Sequence, residues 1–455
     1  MAAAAALGID RLLADPERWL SGDRVALLAN QASLTSGHRP TASALKAELG
    51  ARLVALFTPE HGASGFEDDA TDVPDGFDPR TGLPLHSLYG PRRRPDAAML
   101  RELDAVVVDL RDVGVRCYTY AASVALLLES AREAGTEVIV CDRPSLLPPR
   151  IDGPMLEPDC RSFLAYLDVP FQHGLTLGEL MRFHAGNMGA APLRVVEVEG
   201  WRRGDADRAG FVPPSPGLPS PAAVALYPGL VALEGTGLSE GRGTPLPFQL
   251  VGGPDVDGDA LAHELNTRGL RGVWARPLRF RPDSGKLTGR RCEGVQLHPT
   301  DLAALRPLEV GAAALGALHS AGTAPTRCPG RTTPMPASPG TSRSRGGWWT
   351  RCWATPASAR WWRGRSRSAT RPPGGRRGTR RSWRRPHRRC CTTRRRPGRP
   401  RAGRGPDRVE ARPRTPDRAR RTVHARTSAV SRRRRPRARS AAAPSRGGSR
   451  PPRAR

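Results

Sequence analysis

The sequence predicts a doubly wound α/β domain, then a second mixed α/β region, then a basic tail that builds no core. Three observations carry this reading. Four short, nearly continuous apolar runs punctuate the first 145 residues. Segments of helical character lie between them. The composition then changes abruptly near residue 322.

The four runs are "RVALLANQ" from Arg24, "RLVALFTPEHG" from Arg52, "AVVVDLRDVGVR" from Ala105 and "EVIVCDRP" from Glu137. Each suits a strand buried on both faces of a parallel sheet. Between them, "PTASALKAELG", "PDAAMLRELD" and "YAASVALLLESAREAG" read as helices, so strand and helix alternate. Polar groups follow the runs in register: Asn30-Gln31, Glu60-His61, Asp109 with Asp112 and Arg116, and Asp142-Arg143. They fall at the carboxyl ends of the strands, the edge where open α/β sheets bind ligands. Loops are polar in any protein, but four ends carrying acids, arginine or histidine point to a site.

From about residue 186 to 322 the pattern is mixed. "PLRVVEVEGW" reads as a strand, and "PPSPGLPSP" as a stiff extended loop, because adjacent prolines fix φ and forbid helix. "LVALEGTGLSEGRGTPLPF", from Leu230, is a Gly-rich loop with Glu234, Glu240 and Arg242. "GVWARPLRFRP" and "CEGVQLHPTD" read as further strands.

The chain lacks a GxGxxG after its first strand, a Walker-type loop, an HExxH and a GxSxG. Cys117, Cys141, Cys160 and Cys292 show no ligand-like spacing, so neither metal nor cofactor is expected. What remains is carboxylates, arginines and tyrosines on loops. Two carboxylates in a polar, aromatic surround are the minimal kit for glycoside hydrolysis. Glu60 is the first candidate, with Gly62 and Gly65 letting the backbone turn and approach a ligand; a solvated loop residue is the plainer reading. Glu179 completes a capping box in "TLGE", which suits a structural role. Glu129 sits in a helix-like run. Glu234 and Glu240 are open between function and loop architecture.

The stretches "FTPEHGASG", "LYGPRRRPDAAML", "DLRDVGVRCYTY", "DRPSLL", "DGPMLEP", "HGLTLGEL", "YPGLVALEGTGLSEGRGTPLPF" and "CEGVQLHPTD" together resemble one family. It is the NamZ-like exo-β-N-acetylmuramidases, formerly a domain of unknown function, DUF1343, and the likeness runs from about Gly8 to Gly322. The resemblance implies a Rossmann-like parallel-sheet catalytic domain over 1–185 and a smaller, incomplete α+β auxiliary domain over 186–322. It implies removal of non-reducing terminal N-acetylmuramic acid from peptidoglycan fragments, with Glu60 the leading catalytic residue. Glu240 and Glu234 rank first as its partner, then Glu179 and Glu129. Assistance by the substrate's own N-acetyl group is the other route. Arg116, Arg143 and Arg242 are expected to face the lactyl carboxylate. His61, Asp112, Tyr118, Tyr120, Asp142, Glu179 and Ser215 complete the expected substrate contacts. The family pattern is not kept everywhere: Arg111 stands for Gln, Cys117 for Phe, Ser145-Leu146 for Asn-Pro and Gly217 for Asn. A non-catalytic or altered-specificity sugar-binding relative is therefore the alternative.

Residues 323–455 hold 41 Arg, no Lys and 3 acidic residues, a net of +38, whereas residues 1–322 carry a net of −8. The Arg/Pro-rich tail is expected to be disordered. Read as evolved sequence, it would hold nucleic acid or another polyanion electrostatically. Muramic-acid glycans are the expected partners instead, with no membrane or nucleic acid. The start lacks the basic and apolar regions of a signal peptide, so a cytoplasmic protein is expected as written, and a secreted one if the start site is misassigned. Tryptophan and cysteine amid arginine, as in "WWTRCWATPA" from Trp348, are odd for a disordered segment. One GC-rich codon choice for that stretch, read one base earlier, encodes Val-Val-Asp-Ala-Leu-Leu-Gly-Asp-Pro-Gly. The tail thus reads as a frameshifted translation. Resequencing the gene around codon 320 is expected to reveal a shift in frame; an intact frame there removes the idea.

Overall fold

The computed structural model describes residues 6–189, 191–205 and 210–320. The basic tail and its proposed frameshift lie outside the described residues. Ten strands and nine α-helices are described. The first sheet contains β1 (Val25–Ala29), β2 (Leu53–Thr58), β3 (Gly76–Phe77), β4 (Pro84–Ser87), β5 (Ala105–Asp109), β6 (Glu137–Cys141) and β7 (Leu193–Val196). Its order is β3-β4-β2-β1-β5-β6-β7, parallel throughout except for the β3–β4 pair. The chain winds outward from β1 to β4, returns to β5, and winds the other way to β7. The strand order therefore reverses between β1 and β5, the switch point at which doubly wound sheets bind ligands.

The helices are α1 (Gly8–Ala14), α2 (Pro16–Trp19), α3 (Thr41–Leu49), α4 (Ala97–Leu100), α5 (Thr119–Ala134), α6 (Leu177–Met188), α7 (Pro221–Leu230), α8 (Gly258–Thr267) and α9 (Pro307–Ser320). Side chains alternate across each strand and build two cores. Val25, Leu27, Val107 and Ile139 face one side, with Ile9 and Leu12 of α1 and Leu45 and Leu49 of α3. Ala26, Leu28, Val106, Val108, Val138 and Val140 face the other, with Val124, Leu127 and Leu128 of α5 and Leu180 of α6. The apolar runs look continuous because both faces are covered.

The second sheet is β8 (Leu250–Gly253), β9 (Val273–Phe280) and β10 (Cys292–Pro299), antiparallel in the order β8-β10-β9, with α8 against β9 and β10. The run at "PLRVVEVEGW", read from sequence with this second region, instead closes the first sheet as β7. Its backbone partner is the buried strand β6, a long-range pairing that no local pattern encodes.

The carboxyl edge of the first sheet is held by a buried ion pair. Asp109, at the end of β5, is fully buried. Its Oδ1 accepts from Arg143 Nε at 2.6 Å, and its Oδ2 accepts from Arg143 Nη2 at 2.8 Å and Thr41 Oγ1 at 2.6 Å. Arg143 Nη2 also donates to Leu34 O at 2.6 Å. One carboxylate thus joins β5, the loop after β6, the loop after β1 and the start of α3. Replacing one partner, as in Asp109→Asn or Arg143→Met, is expected to lower unfolding free energy by about 3–5 kcal/mol, because the remaining group stays buried without its counter-charge. Denaturant unfolding measures it, and the double variant Asp109→Asn/Arg143→Met should lose less than the sum of the two.

Candidate active site

β2 ends at Thr58, and the chain reverses in the next four residues. His61 and Gly62 both take left-handed backbone conformations, at φ 70° and 74°. For histidine this conformation is strained and must be held by its surroundings. The His61 ring is buried, and its Nδ1 lies 2.8 Å from Glu67 O; a carbonyl only accepts, so Nδ1 carries the proton. His61 therefore braces the loop that follows Glu60. The expected opening at Gly65 is occupied: a Cβ there would lie 2.5 Å from Gln31 Oε1, so the Gln31 side chain fills the approach.

Glu60 is half-buried, and both its oxygens accept hydrogen bonds. Oε1 accepts from the Ala70 N–H at 3.1 Å and Oε2 from Thr119 Oγ1 at 2.7 Å. Thr119 opens the 16-residue helix α5, whose N-terminus favours negative charge. Burial, and then the Glu60 carboxylate, push the Tyr89 hydroxyl well above the ordinary tyrosine range. Tyr120, one residue beyond Thr119, accepts from Asn30 Nδ2 at 2.9 Å and donates to Pro214 O at 3.1 Å. The Tyr118 ring packs on Tyr120 at 4.7 Å, and its hydroxyl is raised by burial and by Tyr120, with Ser215 acting against the rise. Gln31 Nε2 also donates to Pro214 O, at 3.2 Å. The proline-rich loop is thereby docked on the switch point, bringing Ser215 to Tyr118.

The Gly-rich loop meets the loop that follows Glu60 through Arg242 and Asp69. Arg242 donates from Nε and Nη2 to Glu234 Oε1, at 2.9 and 2.8 Å. Its Nη1 lies 3.5 Å from Asp69 Oδ1, the residue beside the amide that binds Glu60. Arg242 Nε is 3.9 Å from Glu240 Oε1, and Lys286 Nζ is 2.8 Å from Glu240 Oε2. Lys286, from the β9–β10 connection, also donates to Leu233 O at 2.6 Å and Thr236 O at 3.2 Å. Three carboxylates thus face two cations. Burial raises the Glu234 pKa to about 7; Arg242 opposes the rise, while Glu240 and Asp69 add to it. Glu240 lies deeper, its side chain 3% exposed against 17% for Glu234. Gly217 makes room for this arrangement, since a Cβ there would lie 2.6 Å from Arg242 Nη1.

The N- and C-terminal family profiles of the exo-β-N-acetylmuramidase NamZ match residues 25–222 and 225–343. The peptidoglycan β-N-acetylmuramidase NamZ of Bacillus subtilis strain 168 is 37% identical over 320 residues, 69% of this chain and 77% of that one. The chain belongs to the NamZ exo-β-N-acetylmuramidase family. Two crystal structures of DUF1343 proteins from Bacteroides fragilis share its fold. One has a TM-score of 0.65 and 32% identity, covering 70% of this chain and 83% of its own. The other has a TM-score of 0.61 and 25% identity, covering 80% and 91%.

Other residues that the sequence reading assigned to the site make structural contacts within the fold. Arg143 is bound to Asp109. Arg116 Nη1 donates to Val169 O at 2.7 Å and Pro154 O at 3.0 Å. Asp142 accepts from Thr176 Oγ1 at 2.6 Å and the Gly178 N–H at 2.9 Å, anchoring the start of α6, while burial raises its pKa. Glu179 closes the capping box with Thr176 and pairs with Arg203; these hold its carboxyl below the ordinary value although burial opposes them. Asp112 is pushed up to about 7 by burial, against a 2.7 Å bond from the Gly114 N–H. Glu129 accepts from Tyr166 at 2.7 Å and lies 3.4 Å from His184; burial would raise its pKa, but His184 and Tyr166 lower it. Arg111 is 2% exposed, and Cys117 Sγ lies 3.7 Å from Tyr227 OH.

The structure also places Asp69 at Arg242, Tyr89 near Glu60 and Lys286 at Glu240, none of which the sequence singled out. The signal for Lys286 was its rarity, because the chain has only two lysines. Glu234 is expected to titrate near 7 by carboxyl 13C NMR, and Arg242→Met to move it higher. A group raised in the fold binds its proton more tightly there than in the unfolded chain. Stability therefore falls as pH rises from the ordinary glutamate value to about 7, then levels. Glu234→Gln should flatten its share of that slope.

Proposed function

We propose that Glu60 and Glu234 are the working carboxylates of this site, and that Glu240 holds Arg242 and Lys286 behind them. As a NamZ-family enzyme, the protein is a glycoside hydrolase that removes terminal β-linked N-acetylmuramic acid from peptidoglycan fragments in cell-wall turnover. The observation that carries the residue assignment is the bridge from Glu60 through Ala70 and Asp69 to Arg242 and Glu234. It links a carboxylate that accepts from two donors to one that burial pushes toward neutrality.

Cleavage of a glycosidic bond needs a proton on the leaving oxygen and a negative group to meet the developing oxocarbenium ion. Glu234 holds a proton near neutral pH and is the general acid. Glu60, with both oxygens accepting at the N-terminus of α5, is the negative group, acting on the anomeric centre or on the substrate's own N-acetyl group. Arg242 keeps Glu234 aimed, and its charge stabilises the carboxylate left after proton transfer. Asn30 and Tyr120 fix the proline-rich loop that carries Ser215 toward the sugar. The substrate is a peptidoglycan-derived glycan; neither nucleic acid nor membrane is assigned a role.

Glu60→Gln is expected to lower kcat/KM on p-nitrophenyl β-N-acetylmuraminide by about 10²–10⁴-fold with unchanged thermal unfolding. A variant as active as the parent removes Glu60 from the mechanism. The parent should lose activity above pH 7 on a disaccharide with an N-acetylglucosamine leaving group. Glu234→Gln should harm that substrate far more than the aryl glycoside, whose leaving group needs no proton. Equal losses on both would sink the acid role.

A further inference from the structure

We infer that Arg93 receives the lactyl carboxylate of the terminal muramic acid and so decides the enzyme's preference for that sugar. This inference rests on the muramidase reading above. It starts from three consecutive arginines after "LYGP". Arg92 Nη2 pairs with Asp75 Oδ2 at 2.6 Å, and Arg94 Nη2 pairs with Glu133 Oε2 at 3.5 Å. Arg93, between them, has neither a hydrogen bond nor an ion pair among the described residues.

Arg93 is half-buried, and its guanidinium lies over the Phe163 ring at 4.5 Å and at 6.0 Å from the Tyr89 ring. Those rings belong to a small apolar cluster with Val73 and Ala122, which fixes the plane of the charge. Tyr89 is the residue whose hydroxyl the Glu60 carboxylate perturbs. Glu60 and Asp72 act on Arg93 electrostatically, but neither stands within ion-pair distance. A guanidinium stacked on aromatic faces keeps its N–H edges for a planar anion, and a carboxylate is the matching bidentate acceptor.

The other arginines of this edge are engaged. Arg143 is closed on Asp109, Arg116 on two carbonyls, and Arg242 on Glu234 and Asp69. Among the described residues, Arg93 feels the Glu60 charge and has no ion-pair partner. N-acetylmuramic acid differs from N-acetylglucosamine by its 3-O-lactyl group, whose carboxylate supplies a planar anion.

The test compares p-nitrophenyl β-N-acetylmuraminide with its lactyl amide, which keeps the shape and loses the charge. The wild type is expected to favour the acid by about 30–100-fold in kcat/KM, the discrimination of a charged hydrogen bond. Arg93→Ala should reduce the ratio to about 3-fold or less, and Arg93→Lys should leave an intermediate ratio. Each ratio is taken within one preparation, so the fraction of folded enzyme cancels. A wild type indifferent to the amide, or an Arg93→Ala enzyme that keeps the full ratio, overturns the inference. If the wild type hydrolyses neither glycoside, the muramidase reading fails. Calorimetric binding of free N-acetylmuramic acid against N-acetylglucosamine then decides Arg93 by itself: a preference abolished in Arg93→Ala upholds it, and one retained overturns it.

Discussion

The burial of Asp109 governs the carboxyl edge of the first sheet. A carboxylate with no exposure at the end of a central strand is tolerable only if its charge and lone pairs are satisfied. Arg143 and Thr41 meet that requirement, and in doing so they bring three loops to defined positions. The Ser33 hydroxyl adds a bond to Asp109 O. Asn30, beside that network, reaches Tyr120 and the proline-rich loop. The switch point of the sheet is thus packed and polar, and the proposed working carboxylates, Glu60 and Glu234, stand beside it.

The same physics operates again at Arg242, with a different outcome. At Asp109 one cation answers one carboxylate. Around Arg242 and Lys286 stand three carboxylates, Asp69, Glu234 and Glu240, and burial disfavours the charged form of Glu234. Burial raises the Glu234 pKa to about 7, with Arg242 opposing the rise and Glu240 and Asp69 adding to it. The rise is therefore first a consequence of burial, and the neighbouring carboxylates only add to it. The connection between β9 and β10 is part of this balance because it delivers Lys286.

Much of the fold was legible in the sequence. Apolar runs bounded by polar residues read as parallel strands because both faces of the sheet are covered, and the helices between them read from their own composition. The strand β7 was misplaced because its sequence resembles any short apolar run and its identity rests on pairing with β6. The short strand β8, "LVGG", carries too little pattern to read at all. At the proposed site, Glu60, Glu240 and Arg242 were read from the sequence as charges on loops, whereas Glu234, read with the Gly-rich loop, lies in a short 3-10 helix, Val231–Gly235, that follows α7. Asp69 and Tyr89 were not read, because nothing local separates them from ordinary loop residues.

The sequence by itself determined the longer strands, the loops that follow the four apolar runs at the sheet's carboxyl edge, and the family the chain resembles; the short strands β3, β4 and β8 it did not. Those properties depend on burial period and short motifs, which neighbouring residues encode. Only the tertiary structure decided which charges are already answered. Arg143 meets Asp109 across 34 residues of chain, and Thr119 meets Glu60 across 59. Three adjacent arginines, 92 to 94, look alike in sequence and differ only in whether a distant carboxylate has reached them. Pairing in a folded interior is a matter of contact and dielectric, so it is set by the fold and not by the order of the residues.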